Sequence, residues 1–183
     1  MVSFSDLKHF FKDQDYNLLI LADGEPVVSR MTKGGVITSM PAGGVALGLD
    51  PIARATNAVY VGRAKSVSER EGLDKQDKML IGDADGNYHL KRLFFTDEDV
   101  EDYYFGFSNQ TLWPLCHVSF VEPRFNDEWF RDFTKVNKKF ADAIKEEIKG
   151  KTFVWVNDYQ LCLVPKMLDK PKDTKIGFFW HIP

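Results

Sequence analysis

Apolar positions along the chain fall into two rhythms. Tyr16–Ala22 (YNLLILA) is a short continuous apolar run closed by Asp23-Gly24, the pattern of a buried strand followed by a loop. Ala58–Gly62 (AVYVG), Thr152–Val156 (TFVWV) and Lys175–Trp180 (KIGFFW) repeat it. Lys78–Ile81 and Leu90–Phe95 are shorter strand candidates, separated by a polar turn at Asp83–Asn87. The second rhythm is helical. Trp129, Phe133, Val136, Phe140, Ile144 and Ile148 recur at steps of three and four, which predicts one buried face of a helix of about six turns. Asn126 is placed to cap that helix, with Asp127 and Glu128 in its first turn and Gly150 as the stop. Thr96 is placed to cap another, with Asp97, Glu98 and Asp99 favourable against the helix dipole. Val45–Arg54 reads as a helix after a glycine-rich loop that runs to Gly44, and Phe4–Asp13 as a short outer helix. Apolar strands alternating with helices predict an α/β fold, a mostly parallel sheet covered on both faces. The sequence ends at Pro183, directly after the strand over Lys175–Trp180, so the final α/β unit is expected to be incomplete.

Composition narrows the class. The 183 residues are enough for one domain with a proper core, and 44% hydrophobic with 28% charged residues is a globular rather than a disordered balance. A formal net charge of −3 argues against a nucleic-acid partner, which would want a basic face. No apolar run approaches the roughly 20 residues that span a bilayer, so no membrane partner is expected. Met1–Asp6 lacks a basic segment leading into an apolar one, so no signal peptide is expected. Cys116 and Cys162 read as free thiols, which fits a cytoplasmic protein.

In open α/β sheets, ligands bind beyond the carboxyl ends of the strands. Three groups fall there. Asp158 follows the strand ending at Val156; its carboxylate suits sugar hydroxyls or base chemistry, or equally a helix cap. His181 follows the strand ending at Trp180, as a catalytic group or as a structural hydrogen-bonder. Gly43 and Gly44 open a helix, where backbone N–H groups can approach an anion, or where a tight turn simply packs closely. Other patterns lead nowhere. Asp83-Ala84-Asp85 reads as a polar turn before Gly86-Asn87, not as a metal-holding pair. Asp23-Gly24 lacks an aspartate nucleophile two residues upstream, where Leu21 stands. His9, His89, His117 and His181 have no ligand spacing, so no zinc site is expected.

As strings, these signals resemble one family. Pro41–Asp50 (PAGGVALGLD), Tyr103–His117 (YYFGFSNQTLWPLCH), Val154–Pro165 (VWVNDYQLCLVP) and Ile176–Pro183 (IGFFWHIP) are similar, in order and spacing, to the N-terminal domain of trehalose-6-phosphate synthases. Trp129–Ala141 (WFRDFTKVNKKFA) is similar to that family's long helix. The resemblance runs from about Leu18 to Pro183 and implies a Rossmann-like, mostly parallel sheet with flanking helices: the N-terminal, acceptor-side domain of a GT-B glycosyltransferase. Residues 1–183 would form that domain alone, without the donor-binding second domain, and so would be inactive alone. The implied reaction moves glucose from UDP-glucose or a similar nucleotide sugar to glucose 6-phosphate with retention, giving trehalose 6-phosphate, without a metal or a covalent protein nucleophile. The partners are then a sugar phosphate and a nucleotide sugar, and a homo-oligomer of a longer protein is compatible with this. The resemblance assigns Tyr104 and Trp113 to the acceptor site, Asp158 to the acceptor glucose, His181 to the transferred glucose, and Gly43 and Gly44 to the donor's phosphates.

The departures are equally specific. The family's S-N-R-x-P after the first strand is here Ala22-Asp23-Gly24-Glu25-Pro26, so Gly24 stands where an arginine would clamp the acceptor phosphate. Arg30 lies in the same loop as a candidate substitute. Asn157 and Gln160 stand where many members have histidines, and Arg63 where many have tryptophan. These changes keep two alternatives open: a sister synthase with another acceptor, such as a glucosylglycerol-phosphate type, or a catalytically silent sugar-phosphate-binding relative.

Overall fold

Six apolar runs pair into one sheet. In the computed structural model, which describes residues 5, 6, 9, 13, 15–32, 34–39, 44–65, 70, 72–83, 86–117, 120–169 and 172–182, the strands are β1 (Asn17–Leu21), β4 (Val59–Arg63), β5 (Lys78–Asp83), β6 (Gly86–Leu93), β7 (Thr152–Asn157) and β8 (Thr174–Phe179). Their order is β5-β6-β4-β1-β7-β8, parallel throughout except for the antiparallel edge pair β5–β6. Counting only the parallel strands, the order is third, second, first, fourth, fifth, which is Rossmann-like as expected. The chain builds outward from β1 to one side and then crosses to the other, so the topological switch point lies between β1 and β7.

Alternation along β1 builds two cores. Leu18, Ile20 and Ala22 face one side with Val27, Tyr60, Tyr88 and Leu90, against Leu49 and Ala53 of helix α1 (Gly44–Thr56). Leu19 and Leu21 face the other side with Val61, Val154 and Val156. The expected stripe covers them there: Phe133, Val136, Phe140 and Ile144 are fully buried, while Trp129 and Ile148 are half-buried at the ends.

That stripe belongs to α4 (Asp127–Glu147), reached through two shorter helices, α2 (Asp97–Val100) and α3 (Trp113–Cys116). The caps are where the sequence puts them. The Asn126 side chain accepts from the Glu128 N–H at 2.7 Å. Thr96 and Asp99 close a reciprocal capping box, each bond 3.1 Å. Gly150 stands in the left-handed region at φ 60, two residues past the α4 cap at Ile148.

The structure departs from the sequence pattern in three places. β5 runs on to Asp83 and β6 starts at Gly86 and ends at Leu93, so the antiparallel pairing extends into the expected polar turn Asp83–Asn87 and stops short of Phe95. The glycine-rich loop before Gly44 contains a hairpin, β2 (Val28–Thr32) with β3 (Gly35–Ser39). Its strands are too short for their alternation to stand out. The helix opened at Thr96 widens after α2 into a π-helix, Glu101–Leu112, before tightening into α3. The wider winding lets the Ser108 hydroxyl donate to the Tyr103 carbonyl five residues back, at 2.7 Å. Gly106 is required within it, because a Cβ there would lie 2.8 Å from the Trp129 ring of α4. The helix expected over Phe4–Asp13 falls largely outside the described residues, as do Ala84 and Asp85 of the polar turn. A short 3₁₀ turn (Tyr159–Leu161) and α5 (Val164–Met167) connect β7 to β8.

Beneath the sheet, Glu147 receives Lys78 at 2.7 Å and Lys91 at 3.0 Å. Burial alone would raise its carboxyl, but the two lysines outweigh burial and hold it below its ordinary value. A carboxyl lowered by folding stabilises the native state above its unfolded-state value and loses that contribution as the pH falls through the native one. Glu147→Gln should therefore flatten the decline of the urea midpoint as pH drops below the ordinary glutamate value of about 4.3. A variant as acid-sensitive as wild type would show that the two lysines contribute nothing through this carboxylate.

Candidate functional site

The loop after β1 is pinned by charge. Glu25 crosses the end of β4 to reach Arg92 on β6, with Nη2 2.9 Å from Oε2 and both side chains fully buried. Gly62, the register partner of Arg92, permits the crossing: a Cβ on it would sit 3.2 Å from the Glu25 Cγ. The Tyr60 hydroxyl donates to the Gly24 carbonyl at 2.8 Å. One residue earlier, Asp23 takes both Nε and Nη2 of Arg63, each at 2.8 Å. The Tyr103 hydroxyl also donates to Asp23, at 3.1 Å. Burial and the adjacent Asp23 carboxylate keep that phenol protonated, far above its ordinary range. The Arg63 guanidinium lies over the Tyr104 ring, 5.2 Å from its centroid.

Across the switch point, Asn157 at the end of β7 donates to the Leu21 carbonyl of β1 at 3.1 Å. Asp158 follows with φ 73 and ψ 163, a backbone region that favours glycine and is strained for any side chain. Its N–H donates to the Phe179 carbonyl at 2.7 Å. Its Oδ1 accepts the N–H of Tyr159 at 2.9 Å and of His181 at 3.2 Å. The His181 Nε2 lies 3.2 Å from the Asn157 Oδ1. Because the Asn157 amide nitrogen is turned to Leu21, its oxygen accepts from a protonated Nε2. Asp158 thus caps the following turn with Oδ1, and its Oδ2 has no protein donor among the described residues.

The π-helix straps the two halves together. Tyr103 and Tyr104 reach the β1 and β4 ends, while Asn109 accepts from the Tyr159 hydroxyl at 3.0 Å. Burial, and then the Asp158 charge, push the Tyr159 phenol up to about 12. The structure therefore brings Asp158 and His181 into contact and sets Tyr104 across the switch point from them. Trp113 stands apart at the end of the π-helix, 40% exposed and stacked on His117 with ring centroids 4.0 Å apart. Gly43 lies outside the described residues. Gly44 opens α1, and among the described residues nothing lies within 4 Å of an added Cβ. The side chain of Arg30 is also outside the described residues, although its backbone pairs with Ile37 in the hairpin. Among the described residues no cluster of three or more His, Cys, Asp or Glu could hold a metal ion, and no helix is long and apolar enough to cross a membrane.

Sequence reasoning passed over Tyr103 and the Asp23–Arg63 pairing. The signal was present as two departures from one family pattern, at positions that turn out to touch. Comparison with known proteins places this geometry. The profile of the family described as Glycosyltransferase family 20 matches residues 17–183. A trehalose-6-phosphate synthase of Mycobacterium ulcerans is 38% identical over 175 residues, covering 94% of this chain and 34% of the relative. An α,α-trehalose-phosphate synthase (UDP-forming) from Burkholderia vietnamiensis superposes with a TM-score of 0.68 at 26% identity, over 91% of this chain and 33% of that one. A UDP-forming enzyme from Burkholderia xenovorans, solved in complex with glucose-6-phosphate, gives 0.64 at 26% identity, over 91% and 34%. The chain spans about a third of the length of the curated relatives it matches.

Asp158 tests whether strain is concentrated at this site. Asp158→Gly and Asp158→Ala both remove the carboxylate, but only glycine adopts its backbone freely. Denaturant unfolding should find the glycine variant more stable than the alanine variant by about 1–3 kcal/mol. Equal stabilities would mean that the backbone relaxes and holds no strain.

Proposed function

The chain belongs to glycosyltransferase family 20, and from that premise we propose that the protein carrying it transfers glucose from UDP-glucose, or a similar nucleotide sugar, to glucose 6-phosphate with retention, forming trehalose 6-phosphate. The observation that carries the reading is the Asp158–His181 pair at the β1/β7 switch point. A strained carboxylate with one oxygen committed to backbone N–H groups presents the other to a sugar hydroxyl. Beside it stands an imidazole whose tautomer is set by Asn157.

In this reading Asp158 accepts a hydroxyl of the acceptor glucose, and Tyr104 and Trp113 wall the acceptor side. His181 faces the transferred glucose, and Gly43 and Gly44 approach the donor's phosphates. The bond from the anomeric carbon to the nucleotide phosphate breaks as the acceptor hydroxyl attacks on the same face, and the departing phosphate takes the hydroxyl's proton. No side chain forms a covalent bond, so the rate comes from holding the two sugars in place and from stabilising the charge that develops. The residues for the donor's nucleotide would lie outside these 183.

The test is UDP release by the protein carrying this chain, with product identified by nuclear magnetic resonance. Release should require glucose 6-phosphate, and Asp158→Ala or His181→Ala should lower kcat by about 10²-fold or more. The 183-residue chain alone should release no UDP. Release that ignores glucose 6-phosphate, or wild-type rates in both variants, would refute the assignment.

A further inference from the structure

We propose that Arg63 recognises the phosphate of the acceptor, in place of an arginine on the loop after β1; this rests on the acceptor being a sugar phosphate. Arg63 ends β4, and Asp158 follows β7, with β1 between them. The two ends are therefore about 10 Å apart, two inter-strand spacings. A hexose held by Asp158 and bearing a phosphate on its terminal carbon covers that span.

The guanidinium is preorganised for the task. Of its five N–H groups, Asp23 takes two, one on Nε and one on Nη2. The other three have no protein acceptor among the described residues. Asp23 and the Tyr104 ring hold the planar fork on two sides, so little freedom is lost when it meets an oxyanion. Its side chain keeps 15% exposure, enough for contact with a ligand.

The neighbouring position completes the argument. Among the described residues a Cβ on Gly24 would meet nothing within 4 Å, so they leave room there for a side chain. Gly24 follows Asp23 directly, and Asp23 is bonded to Arg63. The loss of a cation on one strand end and its gain on the next are thus one local exchange. An arginine delivered from β4 is held beside that loop, with Asp23 as its anchor.

Calorimetric titration of the protein carrying this chain with glucose 6-phosphate, and separately with glucose, tests the exchange. Arg63→Trp should weaken glucose 6-phosphate binding about 10- to 100-fold, the range for hydrogen bonds to a charged group, while glucose binding stays within about twofold. Adding Gly24→Arg to that variant should restore most of the loss. Arg63→Lys, which keeps an ion pair with Asp23 but not the fork, should lose about tenfold in selectivity with its melting temperature retained. That variant decides the matter should Arg63→Trp fail to fold. An unchanged preference for glucose 6-phosphate over glucose in both Arg63 variants would make Arg63 a clamp on the loop and overturn the proposal alone. A wild-type protein with no preference for the phosphorylated sugar would overturn it together with the sugar-phosphate reading.

Discussion

The site depends on one buried ion pair. Glu25 and Arg92 meet with no solvent exposure, and Gly62 leaves room for the crossing. The pair fastens the loop after β1 across β4 to β6, and so sets where Asp23 and Gly24 stand. With the loop fixed, Asp23 has one partner on the next strand end, Arg63, and one on the π-helix, Tyr103. Three strands and a helix are thereby referred to a common point through carboxylates that cannot be left unpaired in this environment.

The opposite side of the switch point is organised differently. There the backbone itself is forced: Asp158 sits at φ 73, and is held by the N–H groups of Tyr159 and His181 and by the Phe179 carbonyl. The crevice thus has one wall fixed by buried charge and one by a strained turn. Asn157 joins them through the Leu21 carbonyl. The Tyr103–Asp23 and Tyr159–Asn109 bonds let the π-helix span both. Its unusual winding is what allows hydroxyls and amides six residues apart to meet different strand ends.

Much of this was legible beforehand, for physical reasons. Buried parallel strands must be apolar on both faces, so β1, β4 and β7 announce themselves, whereas the apolar run of β8 forms an edge strand with Phe178 and Phe179 exposed. The α4 stripe and both caps follow from periodicity and from backbone N–H groups that need partners. Asp158 and His181 were singled out because strand ends are where α/β sheets hold ligands, and the structure brings the two into contact. The β2–β3 hairpin was hidden by its brevity and its glycines. The π-helix was hidden because its winding answers to Trp129 packing on Gly106, a tertiary contact with no local period. The Asp23–Arg63 pair was hidden because its members are forty residues apart and each looked like an isolated departure.

A buried ion pair is not retained for stability alone. Apolar residues of the same volume would serve the core as well or better, whereas removing one partner leaves a buried charge at a cost of about 3–5 kcal/mol. What an apolar pair cannot do is choose a partner. A leucine at position 25 would pack against β4 or β6 in several registers; a glutamate beside a single buried guanidinium packs in one. That single register turns Asp23 towards Arg63 instead of into solvent, and leaves Gly24 facing open space. The specificity of the loop, and with it the chemistry that the strand ends can offer, follows from a buried charge paired with Arg92.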